Sequence, residues 1–566
     1  MAEIRPYSFI KPAPVPEAEA EPVPAFSAGP DLSRLSFLVI DSVTDMRVAT
    51  CSMLNEFGAG NVDYAARSGD ALGMLRRKEY DVVLSEYDLG HGFDGLYLFE
   101  EARRHGILKA SCVFMIVTAE RRATRVIGAA ELAPDAIVLK PYTGDMLYGK
   151  LVRAIRRKAR LRPIDEAVLA HDFLRAIHLC EAEIEAGGDD ATSFLRMKVH
   201  LLLRIGDWAA ARDLCREVLA QADLPWARMA LGKSLYHLGS HEEARTVFQG
   251  VIAEHELVME AYDWLAKSQS AGGDGPGALE TLRRAVARSP YVIGRQRDLG
   301  DVAWHNGDLA TADAAISETV RLSRYSFWRD PGDYGRLAQV QIARGDTLGA
   351  RRTATEIRRE FKDAPAAAMA DALDADIWLK HGDKIRARDA LDQALHGLST
   401  LLAPPPSEVG LVLAQACMNQ QRFEVGEKIV RTVLKNRHDD AGLQGRVTTL
   451  FRQAGREEVA SRLIEETNQD IVTLNNEAVR LAQSGELAAA AERFIKAVAD
   501  MPANLMVLLN AINALLAFVN REGWHETYMR RAAEYLERVR ELDQDNGRAL
   551  QLAEIHRKTC QRFGRT

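Results

Sequence analysis

A glycine followed five residues later by an alanine recurs through most of the chain beyond residue 200. The glycines lie about 30 to 40 residues apart, with longer gaps in places, and are Gly206, Gly239, Gly273, Gly307, Gly345, Gly382, Gly455 and Gly485. The alanines are Ala211, Ala244, Ala278, Ala312, Ala350, Ala387, Ala460 and Ala490. In most copies a larger apolar residue follows four positions later, as with Phe248, Leu282, Ile316, Leu391, Ile464 and Phe494. Such a period predicts a stack of repeated units rather than one globular core.

The spacing predicts a helix, a turn at the glycine, and a second helix whose alanine lets the two backbones approach closely. The larger residue one helical turn later fills the gap between the pair, and Pro290 and Pro502 end the second helix of their repeats. This pattern resembles the tetratricopeptide repeat, best over 225–290 and well over 475–502. The resemblance implies an all-α superhelical solenoid whose concave groove binds proteins or peptides. A different all-helical solenoid fits the spacing less well.

Some repeats depart from the pattern. Near Gln421 and Gly523 the alanine position holds Gly426 and Tyr528. We count about ten helical pairs in all. The run Ala403–Pro406 predicts a kink or a boundary, which divides the repeats into 161–403 and 404–566.

The first 33 residues are rich in proline, alanine and glutamate. Such a segment buries too little apolar surface to offset its chain entropy, so we expect an extended, disordered tail. Tyr7, Phe9 and Ile10 leave open a docking motif within it; an inert leader is the simpler interpretation.

Between 34 and 160, short apolar strands alternate with helical patterns, which predicts a parallel sheet covered by helices. Polar residues follow the strands: Asp41 and Ser42 after the first, Glu86 after the run from Tyr80, Thr118 after the run from Val113, and Lys140 after the run from Ala136. Because the carboxyl ends of parallel strands lie at one edge, we expect a site there.

An acid, an acceptor, a threonine and a lysine in this order resemble the receiver domain of response regulators, which implies an α/β flavodoxin-like fold. In that family two acids after the first strand and an acceptor aspartate hold Mg²⁺, which receives a phosphoryl group together with the threonine and lysine.

Three departures from the receiver pattern argue against that chemistry. Ser42 replaces the second acid, so one anionic ligand is missing. Glu86 replaces the acceptor aspartate and carries its carboxylate one methylene further out. Ile137 occupies the position where receivers often use an aromatic switch residue. We therefore predict a pseudo-receiver that binds no Mg²⁺, with Asp41 and Glu86 as the residual candidates for a metal.

Two interpretations of this degenerate site remain open. The permanent charge of Glu86 near Lys140 and Thr118 would imitate the phosphorylated state, or the four residues form a hydrogen-bonded relic that stabilises the sheet edge. If the strand register were shifted, Asp88 would be the acceptor instead, although the run from Tyr80 matches the family with Glu86 at the strand end.

Net charge, cysteine content and sequence motifs argue against several classes of protein. The net charge of -7 gives no reason to expect a nucleic-acid or membrane binder, and the basic run over 153–162 is a weak nucleic-acid candidate at a domain junction. Six scattered cysteines predict a reducing, cytoplasmic environment without disulfides or zinc. The apolar stretch Leu505–Val519 is interrupted by two asparagines and is short for a membrane span. No P-loop, HExxH or G-x-S-x-G motif occurs.

Tryptophans are expected mainly in the cores between helices, with one or two along a peptide groove; they are Trp208, Trp226, Trp264, Trp304, Trp328, Trp378 and Trp524. Together the patterns predict a non-enzymatic signalling adaptor of a bacterial two-component pathway. Its solenoid would bind partner proteins, and its receiver-like domain would contact another protein or itself. The alternative is a phosphorylation-gated response regulator whose repeats control protein contacts.

Overall fold

The computed structural model describes residues 31–565 except 90–94, 105–106, 109–111, 120–133, 170–171, 188–190, 291, 325–328, 401–403, 439 and 544–545. The chain divides into two compact units between Val292 and Ile293. The expected tail lies outside the described residues up to position 30. The tail was expected to run to 33; in the structure Leu32–Arg34 form a 3₁₀ helix, and Leu32 packs in one hydrophobic core with Phe37.

The first unit begins with a five-stranded parallel sheet, which confirms the flavodoxin-like prediction. Its strands run in the order β2-β1-β3-β4-β5. Their bounds are Ser36–Ile40 (β1), Asn61–Ala65 (β2), Val82–Glu86 (β3), Val113–Thr118 (β4) and Ala136–Leu139 (β5). The described helices around the sheet are Thr44–Glu56 (α1), Ser68–Arg77 (α2), Gly95–Arg104 (α3) and Gly144–Leu169 (α4).

Both faces of this sheet are covered, which explains why its central strands are apolar throughout. Because side chains alternate along a strand, Leu38 and Val83 enter one core together with Phe99 of α3. Val39 and Met115 enter a second core on the opposite face, together with α4 residues such as Leu151. The polar residues after the strands are left at the carboxyl edge.

Helix α4 does not end with the receiver-like domain. It is 26 residues long and runs through Pro163 to Leu169, so the predicted boundary between 160 and 161 falls inside it. The helix is buried at both ends: Leu147 and Leu151 pack on the sheet, and Ile164 and Ala167 are buried near its C-terminal end.

The helices that follow α4 pack against their neighbours in sequence, as the repeat pattern predicts. In the first unit they are Phe173–Ala186 (α5), Ala191–Arg204 (α6), Trp208–Gln221 (α7), Pro225–His237 (α8), His241–Glu254 (α9), Met259–Ala271 (α10) and Gly275–Arg288 (α11).

The second unit, as far as the structure describes it, is helical from end to end. Its first seven helices are Ile293–His305 (α12), Leu309–Ser323 (α13), Pro331–Arg344 (α14), Thr347–Glu360 (α15), Ala364–Lys380 (α16), Lys384–Ser399 (α17) and Ser407–Asn419 (α18). The rest are Phe423–Asn436 (α19), Ala441–Gln453 (α20), Glu457–Gln483 (α21), Leu487–Asp500 (α22), Leu505–Glu522 (α23), Glu526–Leu542 (α24) and Gly547–Arg562 (α25).

The repeat pattern is confirmed at its turns. All eight glycines of the pattern have left-handed backbone conformations, with φ between 69 and 87°, which terminates the preceding helix. In five of the eight turns an aspartate after the glycine caps the next helix; for example, Asp274 accepts a hydrogen bond from the Gly277 amide at 2.9 Å. All eight alanines are fully buried.

The degenerate repeats have local explanations. Gln421 occupies the left-handed turn position with φ 60°. A Cβ on Gly426 would lie 2.9 Å from the Met418 Cε and 3.3 Å from the Ala414 carbonyl oxygen, so an alanine here would require its neighbours to shift. Tyr528 instead fills its position with a buried ring whose hydroxyl donates to Glu492 at 2.7 Å.

The predicted break at Ala403–Pro406 does not interrupt the core. Of this run the structure describes 404–406, which directly precede α18. One hydrophobic cluster includes Leu391 and Ala394 before the prolines as well as Val409 and Leu411 after them.

Helix α23 is the one helix in the described part of the chain with the length and apolar character of a membrane span. Half of its 18-residue window is buried inside the fold. Val507, Leu508 and Leu515, for instance, pack in the second hydrophobic cluster of the unit.

Candidate functional site

The carboxyl edge of the sheet brings the predicted site residues together. Asp41 follows β1, Glu86 ends β3, Thr118 ends β4 and Lys140 follows β5. The strand register aligns these ends, since Ile40 pairs with Ser85, Glu86 with Val117, and Thr118 with Leu139. The backbone amide of Lys140 also donates to the Thr118 carbonyl at 2.8 Å.

The Lys140 ammonium lies between two carboxylates. Its Nζ is 2.7 Å from Asp41 Oδ2, and it also donates to Glu86 Oε2. The three side chains are 14 %, 7 % and 11 % exposed respectively. Burial lowers the pKa of Lys140, but the hydrogen bonds that Lys140 donates to Asp41 and Glu86 outweigh burial and raise the pKa above its ordinary value.

The remaining carboxylate oxygens also have donors. Asp41 Oδ1 accepts from the Val43 amide at 2.8 Å. Glu86 Oε1 accepts from the Tyr87 amide at 2.8 Å and, at 3.4 Å, from that of Asp88. All four oxygens of the two acids therefore hold a donor from the protein itself.

The other predicted residues take different places. Ser42 is exposed, and so is Asp88 in the loop after β3. Ile137 lies within β5, partly buried against the first core, and its carbonyl accepts a hydrogen bond from Lys150 of α4. The turn that follows Asp88, at 90–94, lies outside the described residues.

Two residues of this edge were not predicted from the sequence. Arg47 of α1 donates to the Asp41 carbonyl at 2.6 Å and to the Ser42 carbonyl at 3.2 Å, so it fixes the loop that carries the first acid. Gly95 lies so close that an added Cβ would be 2.2 Å from the Glu86 carbonyl oxygen. Arg47 could have been found from the sequence, because it lies one turn into the helix that follows the strand ending at Asp41.

The basic run over 153–162 is largely paired within the fold. Arg157 and Lys158 lie 3.4 and 3.7 Å from Asp135 Oδ1, just before β5. Arg160 reaches Glu183 of α5 at 2.6 Å. Burial lowers the pKa of Lys158, and Arg103 adds to that effect. These cations thus hold α4 to the sheet and to the next helix.

Among the described residues, no group of three or more His, Cys, Asp or Glu side chains is arranged to hold a metal ion. The six cysteines are free thiols. Burial raises the pKa of Cys112, Cys180 and Cys417 to about 12, so these thiols stay protonated and unreactive.

Comparison with known protein families supports both halves of the architecture. Residues 37–152 match the response regulator receiver domain. Residues 196–256 and 229–293 match the tetratricopeptide repeat.

Individual relatives match the receiver segment alone. The chemotaxis protein CheY-3 of Vibrio cholerae is 29% identical over 123 residues, which is 22% of this chain and 93% of CheY-3. CheY of Pseudomonas aeruginosa is 28% identical over 123 residues, covering 22% of this chain and 98% of its own length.

Two solved structures are similar to the helical part. One is the C-terminal part of a TPR repeat-containing protein from Cytophaga hutchinsonii, with 15% identity and a TM-score of 0.36, covering 43% of this chain and 96% of that one. The other is a tetratricopeptide repeat protein from Parabacteroides merdae, with 14% identity and a TM-score of 0.33, covering 48% and 97%.

The chain thus joins a receiver domain to tetratricopeptide repeats. That combination supports a signalling protein that carries protein-interaction repeats. Both kinds of domain are typically non-catalytic.

Proposed function

We propose that this chain, a receiver domain followed by tetratricopeptide repeats, is a non-enzymatic adaptor in a cytoplasmic two-component pathway. Its receiver domain works without phosphorylation, and its repeats bind partner proteins. The observation that carries the proposal is the Lys140 ammonium, which is hydrogen-bonded to Asp41 and Glu86 at once.

Phosphoryl transfer at this edge would need a free carboxylate nucleophile and a Mg²⁺ site. Both Asp41 and Glu86 already accept protein hydrogen bonds on each oxygen. Ser42 supplies no third carboxylate. Because Mg²⁺ demands nearly ideal octahedral oxygen geometry, two carboxylates whose oxygens already accept protein hydrogen bonds do not fit it.

We infer a signalling role for Glu86 from the same geometry. The acceptor aspartate of a receiver is already an anion, but the Glu86 carboxylate lies one methylene further out and hydrogen-bonds to Lys140 without modification, which would imitate the contact of a phosphoryl group. The receiver domain would then be held in one state, and it would contact a partner or a second copy of itself in that state.

The repeats supply the binding half of the adaptor. Helical repeats bury their faces against their neighbours and expose an extended surface for a peptide or a partner helix.

Treatment of the full chain with acetyl phosphate and Mg²⁺ tests the receiver half. We expect intact mass spectrometry after an acid quench to show no phosphoryl adduct on the wild type. The Ser42→Asp/Glu86→Asp double variant restores the family's acids and should gain one adduct at position 86, which proves the assay competent. An adduct on the wild type would overturn the proposal.

The exposed Asp88 side chain favours one alternative, a phosphorylation-gated response regulator. Peptic digestion of the acid-quenched chain, followed by peptide mass mapping, distinguishes it: a wild-type adduct that maps to Asp88, and disappears in Asp88→Asn, would establish gating and replace the adaptor.

The glutamate's role has a separate test. Proteins captured by the full chain should be captured less well by Glu86→Gln if the fixed charge holds an active state. Unchanged capture would identify the edge as a structural relic while leaving the adaptor intact. Asp88→Asn is the matched control at the same edge.

A further inference from the structure

Two aliphatic side chains of the second unit protrude into solvent. Leu348 is 71 % exposed and Ile385 is 76 % exposed, more than any other large hydrophobic side chain in the described part of the chain. Each is the second residue of its helix, α15 and α17 respectively. Single exposed apolar residues are ordinary in soluble proteins, so these two indicate a binding surface only together with further observations.

The repeat pattern is the first such observation. Leu348 and Ile385 each lie three residues after a turn glycine, so they occupy equivalent positions in consecutive repeats. In the other repeats, counting Gln421 as a turn residue, this position holds an alanine, a glutamate or a proline: Ala209, Glu242, Pro276, Ala310, Glu424, Glu458 and Ala488. A large aliphatic side chain at this position is therefore confined to two neighbouring repeats.

Trp378 connects the two positions. Its ring centre lies 4.4 Å from the guanidinium carbon of Arg351 and 4.7 Å from that of Arg386. Arg351 lies about one turn after Leu348 on α15, and Arg386 directly follows Ile385 on α17. The indole thus lies between the starts of the two helices. We call the surface formed by these five residues the turn-edge patch.

The chain around the turn-edge patch is basic. Residues 346–352 and 378–388 hold six lysines and arginines but only two acids, Asp346 and Asp383. Each of these acids caps its own helix by accepting a hydrogen bond from a backbone amide in the first turn, so the helix N-terminus partly balances its charge. The patch therefore has a local excess of positive charge, although the whole chain has a net charge of -7.

Most of these cations have no strong partner within the fold. The charged groups of Arg351, Lys380 and Lys384 make no ion pair or hydrogen bond with any described residue. Arg386 lies 3.5 Å from Asp383, but both side chains of that pair are 36 % exposed or more, and such pairs are weak. The cations can therefore contact an external anion.

Protruding aliphatic side chains beside a tryptophan and several cations suit an anionic lipid surface. Aliphatic groups gain free energy when they enter the boundary between headgroups and acyl chains. Tryptophan is favoured at the headgroup level, and lysine and arginine are attracted to anionic lipids. A protein partner would need a shaped pocket for each protruding side chain, whereas lipid chains accommodate both without one.

We propose that the turn-edge patch docks the second unit onto a membrane surface that contains anionic lipids. Leu348 and Ile385 enter the boundary between headgroups and acyl chains, Trp378 lies at the headgroup level, and the cations contact lipid phosphates. This inference goes beyond the proposed function, because it gives the adaptor a place of attachment. It holds whether or not the receiver domain is phosphorylated.

Flotation of the full chain with lipid vesicles tests the proposal. One set of vesicles contains phosphatidylcholine alone, and the other contains equal parts of phosphatidylcholine and phosphatidylglycerol. We expect the chain to bind the mixed vesicles about tenfold more tightly or better. Added salt should weaken this binding, because it screens the exposed cations.

Leu348→Ser/Ile385→Ser removes both aliphatic side chains and keeps every charge, so we expect it to weaken binding to the mixed vesicles about tenfold. The matched control is Val48→Ser/Val472→Ser. It removes two aliphatic side chains that are 59 % and 45 % exposed on α1 and α21, and it should leave binding unchanged. Circular dichroism of both variants checks that the helices are retained.

Trp378 reports where the chain meets the lipid. Mixed vesicles with brominated acyl chains quench the fluorescence of tryptophans that reach the interface. We expect quenching in the wild type, little quenching in Trp378→Phe, and wild-type quenching in Trp524→Phe, which changes a tryptophan of another repeat.

Three results would overturn the membrane site: no binding to either set of vesicles, equal binding to both, or undiminished binding by Leu348→Ser/Ile385→Ser. If vesicles are not bound but this variant loses proteins that the wild type captures, the patch binds a protein instead of a membrane. The phosphorylation test of the receiver domain is independent of all these outcomes, so the two proposals can fail separately.

Discussion

The receiver edge (Asp41, Glu86 and Lys140) and the arginine cluster of the second unit (Arg336, Glu408 and Arg446) are built from the same kinds of group in opposite proportions. At the receiver edge one ammonium, Lys140, lies between two carboxylates. In the second unit one carboxylate, Glu408, lies between two guanidinium groups. All six side chains are largely buried, at 7 to 21 % exposure.

The two sites differ in how many of their hydrogen-bonding groups have no partner. An ammonium is a compact charge with three donors that turn toward whatever acceptors surround it, whereas a guanidinium holds its donors in a fixed plane. At the receiver edge every carboxylate oxygen is satisfied. In the second unit, the buried Nε of Arg446 has no described partner. The first cluster therefore uses all of its carboxylate oxygens, whereas the second leaves one buried donor unpaired.

The largest test of this comparison is removal of the shared cation. Lys140→Met leaves Asp41 and Glu86 as neighbouring buried charges, and we expect a loss of about 3 kcal/mol in unfolding free energy. Hydrogen exchange of the β3 amides in the full chain measures the loss locally. Lys78→Met is the control, because the Lys78–Asp63 pair is over a third exposed. A loss no greater than in that control would break the comparison.

Removal of the shared anion is the mirror experiment. Glu408→Gln leaves two guanidinium groups beside a neutral amide, and we expect a loss of about 2 kcal/mol, smaller because Arg336 keeps its pairs with Asp301 and Asp333. Hydrogen exchange of the α18 amides reports it. Glu457→Gln, at an exposed pair on α21, is the matched variant, and an equal effect there would contradict the assignment.

A fourth buried acid, Asp376, sharpens the comparison because it has no ion pair with any described residue. Asp376 of α16 is 3 % exposed and accepts one hydrogen bond, from Asn419 Nδ2 at 2.9 Å. Burial raises its pKa to about 7, against the opposing effect of that bond.

The effect of Asp376 on stability changes with pH because its pKa differs between the unfolded state, about 4, and the folded state, about 7. Between these two values the folded state binds more protons than the unfolded state. The contribution of Asp376 to the free energy of unfolding therefore falls as pH rises. Asp376→Asn should remove this fall and gain about 1 to 2 kcal/mol at neutral pH, part of the gain being lost to the unpaired amide. Urea denaturation at about pH 5 and about pH 8 checks it; parallel curves for variant and wild type would refute it.

Sequence reasoning succeeded where the signal is local. The strand-end residues Asp41, Glu86 and Lys140 could be placed because each follows an apolar run. The turn glycines could be placed because a helix, a left-handed residue and a capping aspartate occupy neighbouring positions. The fold class and the members of the receiver edge were therefore predictable.

The arginine cluster was not predictable, because its partners are far apart in the chain. Arg336 and Glu408 are separated by 72 residues, and Glu408 and Arg446 by 38. The repeat pattern gives the helices but not which polar side chains meet between them. Helix α4 was not predictable at its full length for another reason: Pro163 and a change in composition suggested an end, yet the helix continues past both to Leu169.

Because α4 is one continuous helix, the rotational positions of its two buried ends around the helix axis are coupled. The helix packs on the sheet through residues such as Leu151 and is buried again at Ile164, thirteen residues later. Inserting one residue between them would rotate everything after it by about 100° around the helix axis. An insertion of about seven residues, close to two full turns, would nearly restore the original direction. The part of α4 between the receiver core and the first repeats can thus change in length only by about one or two whole helical turns if both ends are to keep their buried faces.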